Sequence, residues 1–166
     1  MQVEYLADHT EAIPTLASWH HDEWRSWTPW LSLEDRIARI EQRVGRRQIP
    51  TTFVALLNGQ IVGFASLVAH DMDTRPDLSP WLASVLVARP HRRRGIGSAL
   101  TERVVEEARL LGVETIYLYT YDHHEFYSRR GWWVFERTQY RGEPVVIMAH
   151  DLASKKVRMS AVGAIG

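Results

Sequence analysis

The stretch from Trp81 to Gly112 constrains the fold more than any other part of the chain. Trp81-Leu82-Ala83-Ser84-Val85-Leu86-Val87 is apolar everywhere except Ser84. A continuous run of this kind reads as a strand buried on both faces. Arg89 to Arg94 forms a basic turn. From Gly95, the residues Ile96, Leu100, Val104, Ala108 and Leu111 recur at helical spacing. Gly112 follows them where a helix commonly ends on glycine. A strand buried on both faces needs helices on both faces of its sheet, so the expected architecture is a mixed α/β domain.

Other segments supply the remaining elements. Gln2–Leu6 is expected as a first strand and His9–Trp24 as a helix, with Ile13, Leu16, Ala17, His20 and Trp24 on one face. Trp27-Thr28-Pro29-Trp30 breaks that helix. Ser32 is a candidate N-cap, and Asp35 stands three residues on, where a capping box places its reciprocal acceptor. The second helix carries Leu33, Ile37, Ile40 and Val44 on one stripe, with Arg or Glu elsewhere, and should end near Gly45. Thr52–Leu57 and Gln60–Ala69 flank Asn58-Gly59, the strongest two-residue hairpin signal. His70 to Pro80 reads as a polar loop. Thr115–Thr120 is expected as a strand and His123–Arg130 as a short helix. Trp132–Arg137 and Val145–His150 are expected as the last two strands, joined through residues 141–144. The expected order is β-α-α-β-β-β-α-β-α-β-β, with residues 153–166 as a flexible tail.

Length and composition bound the function. A chain of 166 residues fits one domain with a sizeable core. Lys plus Arg number 20 and Asp plus Glu number 20, so the net charge is zero, which argues against a general nucleic-acid binder. With no cysteine, there is no disulfide framework, Cys-type zinc site or thiol nucleophile. The first eight residues do not resemble a signal peptide. No run approaches the ~20 apolar residues of a membrane span. A cytoplasmic protein without a metal, a nucleic-acid partner or a membrane is expected.

The strand–turn–helix unit also carries the chemistry. The first amides of a helix lack partners and sit at its positive end. Gly95 and Gly97 lack Cβ atoms, so a ligand can approach the backbone. Arg92, Arg93 and Arg94 add full charge. Together these features suit a multiply charged phosphate. The Walker A pattern is missing because no Gly-Lys-Ser/Thr is present. The dinucleotide pattern fails at its third glycine, where Leu100 stands. A solvated basic turn is the plain alternative. The sequence Arg92-Arg93-Arg94-Gly95-Ile96-Gly97 does match [Arg/Gln]-x-x-Gly-x-[Gly/Ala] in full.

With that loop the chain resembles the GNAT family of N-acetyltransferases. A second block agrees: Phe126-Tyr127-Ser128-Arg129-Arg130-Gly131-Trp132 matches the family's Phe-Tyr-x-x-x-Gly-aromatic segment about thirty residues later. His123 departs from the small residue usual at the block's first position. The ending Pro144 to Leu152 is also similar. The resemblance covers roughly residues 50 to 152 and implies one GNAT-like α/β (α+β) domain over 1–152. Its sheet would be mixed, mostly antiparallel, of about seven strands with helices on both faces.

The resemblance implies acetyl-CoA as co-substrate and direct transfer of its acetyl group to a primary amine, on a small molecule or a peptide N-terminus. Its pyrophosphate would lie on the amides of Arg92, Arg93, Arg94, Gly95, Ile96, Gly97 and Ser98. Its pantetheine arm would pair with Val85, Leu86 and Val87, and the Val87 N–H would serve the thioester oxygen. Tyr127 corresponds to the tyrosine near the CoA sulfur. Asp122 could contact CoA or position the amine, with a helix N-cap as its simpler role. Leu78 to Ala88 lacks the carboxylate that many relatives place on this strand as base. Glu23, Asp71, Asp73, Asp122, His20, His21 and His70 are then the candidates.

Trp19, Trp24, Trp27 and Trp30 cluster beside His20 to Glu23, where the family builds a variable acceptor wall. Glu23, Trp24 and Trp27 are therefore the candidate acceptor residues. The alternative is that Trp19 and Trp24 simply fill the core beside Trp81. Leu118 to Asp122 followed by Phe126-Tyr127 also looks like relatives that acetylate protein N-termini. A homodimer stays open. The rival functions are an acyl-CoA-binding module without transfer, motivated by the missing carboxylate, and a nucleic-acid-binding domain.

Overall fold

The computed structural model describes residues 1–153; the expected flexible tail lies almost wholly outside them. The chain runs β1 (Gln2–Tyr5), α1 (Ile13–Trp24), α2 (Leu33–Glu41), β2 (Thr51–Leu57), β3 (Gln60–Val68), β4 (Trp81–Val87), α3 (Ile96–Leu110), β5 (Thr115–Thr120), α4 (His124–Ser128), β6 (Trp133–Tyr140) and β7 (Glu143–Asp151). The seven strands form one sheet in the order β1-β2-β3-β4-β5-β7-β6. Every neighbouring pair is antiparallel except β4–β5. This is the expected mixed, mostly antiparallel sheet.

Period-two alternation sends each strand's side chains to two different cores. On β2, Phe53 and Ala55 join Leu100, Val104 and Ala108 of α3. Val54 and Leu56 turn the other way, toward Ile13, Leu16 and Ala17 of α1 and Ile40 of α2. Helices therefore cover both faces. Fully buried side chains such as Phe53 and Phe64 each contribute about 2 kcal/mol of hydrophobic free energy. Trp81, wholly buried, heads a third cluster with Met72, Leu78 and Ile147. Trp19 and Trp24 pack against the α1–α2 core, so the alternative of core filling holds in part, but not beside Trp81, which lies in another cluster.

Local signals hold well at caps and turns. The Ser32 hydroxyl accepts from the Asp35 N–H at 3.0 Å, and Asp35 accepts from the Ser32 N–H at 2.9 Å. Asn58 and Gly59 both adopt positive φ, as a type I′ hairpin requires. The final hairpin turns just as tightly, at Arg141-Gly142, with Tyr140 paired to Glu143. The expected four-residue connection is thus a two-residue turn.

Other boundaries differ from expectation. Leu6 begins a 3₁₀ turn instead of closing β1, and a second such turn over Thr10–Ala12 precedes α1. The second helix stops at Glu41, not near Gly45. Its buried positions are Arg36 and Ile40, while Leu33 is exposed, so one expected surface charge lies inside. Leu111, expected on the buried face of α3, is exposed. Glu107 is buried there and accepts from the Tyr5 hydroxyl at 2.6 Å.

Candidate active site

The site originates where the sheet stops being continuous. The parallel strands β4 and β5 pair only at their starts, Trp81 opposite Tyr117. Beyond that point they diverge. The β3–β4 register slips between Phe64 and Ser66, and Ser84 adopts φ of 59°. This bulge re-aims the end of β4, as such features do. Ser84, Val85 and Val87 are only half-buried, so the strand is not sealed on both faces as the sequence suggests. The Ala88 N–H donates to the Val62 carbonyl on β3 at 2.8 Å. Strand alternation then turns the Val87 N–H toward the edge β5 has left open.

The loop after β4 ends in a helix start without a side-chain cap. Arg93 and Gly95 have φ of 65° and 79°. Gly95 occupies the N-cap position of α3 in the left-handed region, where glycine carries no Cβ penalty. No side chain caps this end, and no acidic residue lies in its first turn. Ile96 is buried and anchors the helix from below. Gly97 is less constrained by the protein itself, since a Cβ there would meet Phe126 and Val87 at 3.7 Å, ordinary contact. The Ser98 hydroxyl accepts from Arg130 Nε at 3.0 Å. Arg92 folds back over the strand end. Its Nε donates to the Val87 carbonyl, and its Nη2 pairs with Glu23, both at 2.9 Å.

A cavity of about 290 Å³ fills the gap between β4 and β5. Val85 and Tyr127 line it on the loop side, with Trp24, Trp27, Trp30, Tyr119 and Tyr121 opposite. Leu86 faces the α1–α2 core and does not line it. Tyr127 sits edge-on to Phe126 and Trp132, with ring centroids 5.0 and 6.0 Å away. Burial pushes its phenol above the ordinary range, so it keeps its proton at neutral pH. Trp27 stacks on Tyr121 at 4.5 Å with planes 7° apart.

Arg36 holds this aromatic wall in place. It is 2% exposed. Its guanidinium donates to His21 Nδ1, His20 Nδ1, the Thr28 carbonyl and hydroxyl, and the Leu31 carbonyl, at 2.7–3.4 Å. Those bonds pin the segment bearing Trp27 and Trp30 against α2. The sequence contains no short-range signal for this role, because Arg36 sits among similar charges on an amphipathic helix. Arginine has only donors, so the two ring nitrogens must accept. Burial, followed by the charge of Arg36, drives the His20 pKa to about 3.

The candidate bases separate clearly. His20 cannot take a proton near neutral pH, and His21 is bound to Arg36. Glu23 is paired with Arg92, and Asp73 is held by the Tyr140 hydroxyl at 3.1 Å and Arg141 at 2.7 Å. His70 is exposed and does not line the cavity. Asp122 is exposed at the cavity mouth, 3.4 Å from His123. It is not a helix cap, since His123 occupies the N-cap position of α4. Asp71 lies half-buried in the cavity with no ion-pair partner among the described residues. Burial pushes its pKa up to about 6 against the pull of Arg43 and Arg39.

A splayed parallel pair beside an uncapped, glycine-started helix leaves an open strand edge and unpaired amides along one cleft of an α/β protein. The family model for the acetyltransferase (GNAT) family matches residues 15–132. The chain belongs to the GNAT acetyltransferase family. No protein of curated function matches its sequence. Solved structures share the fold. An aminoglycoside 6′-acetyltransferase type Ii is 18% identical with a TM-score of 0.73, over 93% of this chain and 99% of that one. A ribosomal-protein-alanine N-acetyltransferase from Brucella melitensis is 22% identical with a TM-score of 0.72, over 91% and 99%. An aminoglycoside 6′-N-acetyltransferase complexed with coenzyme A is 17% identical with a TM-score of 0.71, over 93% and 99%.

Proposed function

We propose that this protein transfers the acetyl group of acetyl-CoA to a primary amine bound in the β4–β5 cavity. The observation that carries the reading is the uncapped start of α3 beside the open edge of β4. One relative by fold is complexed with coenzyme A, which agrees. The Arg92 N–H already donates to the Arg89 carbonyl at 3.3 Å, so the expected cradle loses its first amide; those from Arg93 to Ser98 fit a pyrophosphate, and the open edge at Val85 and Val87 fits an extended amide-bearing arm. Acetyl-CoA, when bound, supplies an activated thioester.

Each residue then has one task. The Val87 N–H donates to the carbonyl oxygen where negative charge develops. Asp71 takes a proton from the attacking nitrogen as the C–N bond forms. Tyr127 gives its phenolic proton to the sulfur as the C–S bond breaks, and regains it from Asp71 through solvent. Trp24 and Trp27 wall the acceptor. The Glu23–Arg92 pair ties the end of α1 to the loop at the cavity mouth, where Asp122 can steer an entering ammonium group. Asp71 suits the role of base through its charge state. The groups facing it are Arg39, Arg43, Tyr119 and Tyr121, and its pKa of about 6 leaves it a carboxylate near neutrality.

The test is free CoA release with a panel of amines, paired with calorimetric binding of acetyl-CoA. Replacing Gly95 and Gly97 together by valine should abolish acetyl-CoA binding. Unchanged binding would refute the loop assignment. Tyr127→Phe should lower kcat by about 10²-fold with little change in acetyl-CoA affinity. Tight binding without turnover of any amine would favour a sensor over an enzyme.

A further inference from the structure

Carboxylates and arginines are equal in number around the cavity, but not all of them are paired. Two of its carboxylates are already paired, Glu23 with Arg92 and Asp73 with Arg141. Asp122 is exposed at the mouth. Two of its arginines are also committed, Arg141 to Asp73 and Arg36 to five neutral acceptors. Arg39, in the last turn of α2, and Arg43, just beyond that helix, remain. Neither forms an ion pair among the described residues. Arg43 is half-buried, and its guanidinium's one hydrogen bond among the described residues is a long one of 3.4 Å to the hydroxyl of bulged Ser84. Asp71 lines the same cavity and its charge acts on Arg43, but no ion pair or hydrogen bond joins it to either arginine among the described residues.

A recessed guanidinium without a carboxylate is costly unless a ligand supplies the anion. Its planar fork matches a carboxylate in bidentate fashion. An unpaired acid in the same small cavity suits the ammonium end of the same ligand. The space of about 290 Å³ is at the low end for ligand sites, enough for one small molecule and tight for a multi-ring sugar. The aromatic wall of Trp24, Trp27 and Tyr119 would cover an apolar side chain.

Resting on the acetyltransferase reading above, we propose that the acceptor is a free amino acid with a large apolar or aromatic side chain. Arg43, helped by Arg39, holds its carboxylate, and its amine faces Asp71. Arg43 is thus a specificity-determining residue for the acceptor. It has no part in the bond changes, which remain those at the attacking nitrogen, the carbonyl carbon and sulfur.

The test uses the full-length chain with saturating acetyl-CoA and follows CoA release. Four matched amines are compared: phenylalanine, its amide, phenethylamine, and the phosphonate analogue of phenylalanine. An aminoglycoside is the fifth. The expected kcat/KM for phenylalanine exceeds that for phenethylamine and the amide by about 10²-fold. In Arg43→Gln this ratio should fall to within a fewfold of unity, through KM more than kcat, and Arg43→Lys should restore part of it. Thermal melts with and without acetyl-CoA confirm that each variant is folded; if Arg43→Gln is not, the Arg39→Gln and Arg43→Lys ratios decide. Equal or better turnover of the amide, phenethylamine or the aminoglycoside overturns the proposal while leaving N-acetylation intact. A phosphonate preferred over the carboxylate overturns the carboxylate assignment. Failure to bind acetyl-CoA, or no turnover with any amine, overturns the activity reading and this proposal with it.

Discussion

The two ends of the cleft are built by opposite means. The loop end, Arg92 to Ser98, is a backbone device made of one contiguous segment. Its unpaired groups are amides, and its shape follows from positive φ at Arg93 and Gly95 and from a helix start that no side chain caps. The aromatic end, proposed to take the acceptor, is assembled from side chains of α1, α2, the β3–β4 loop, β5 and the last hairpin. Its charge states follow from burial and from Arg36, which sits a whole helix away in sequence from His20. Backbone sites tolerate much side-chain change and bind a common group. Side-chain sites change specificity with single substitutions. On the proposed function, one cleft can therefore keep its donor while its acceptor varies.

The largest test of this contrast is Asp71→Asn. It should lower kcat/KM by about 10³-fold without altering acetyl-CoA affinity. Asp71 has a raised pKa of about 6, and the working form is the carboxylate. Activity of the unaltered protein should therefore rise as pH passes upward through about 6 and fall away below it. In the variant that limb should vanish from the kcat/KM profile. A limb that persists would assign it to another group and remove Asp71 as base.

Next in size is Arg36→Met. The change leaves two carbonyls and two imidazole nitrogens without their donor, at ~1 kcal/mol or more for each group that water cannot reach. A loss of about 3 kcal/mol is expected, which lowers the melting temperature by about 10 °C. Below that transition, acetyl-CoA binding should persist while the acceptor KM rises. Equal damage to both ends would show that they are one mechanical unit.

The smallest is Gly97→Ala. Its Cβ meets only ordinary contacts at 3.7 Å, and replacing a helical glycine gains roughly 0.5–1 kcal/mol. The melt should rise slightly. A weaker affinity for acetyl-CoA would place the ligand against this backbone, whereas unchanged affinity would put the closest approach elsewhere in the loop.

The same contrast governs what was legible beforehand. The hairpin at Asn58-Gly59, the capping box at Ser32 and the long helix after Gly95 are local signals, and each appears where its residues predict. Resemblance to a family rests on two such contiguous blocks. Arg36 was hidden because a buried arginine on an amphipathic helix has the same spacing as a solvated one. Asp71 was one of seven candidates until the others were found paired, exposed or neutral. The half-buried edge of β4 was hidden because an apolar run does not disclose that the neighbouring strand will diverge.

The sequence by itself determined the elements, the covering of the sheet by helices on both faces and the glycine-started helix after β4, because period, turn chemistry and glycine act within a few residues. Only the tertiary structure decided which acid stands free, which histidine is neutral and where the sheet opens. Those outcomes depend on desolvation and on charges brought together from distant segments, and no local pattern encodes them.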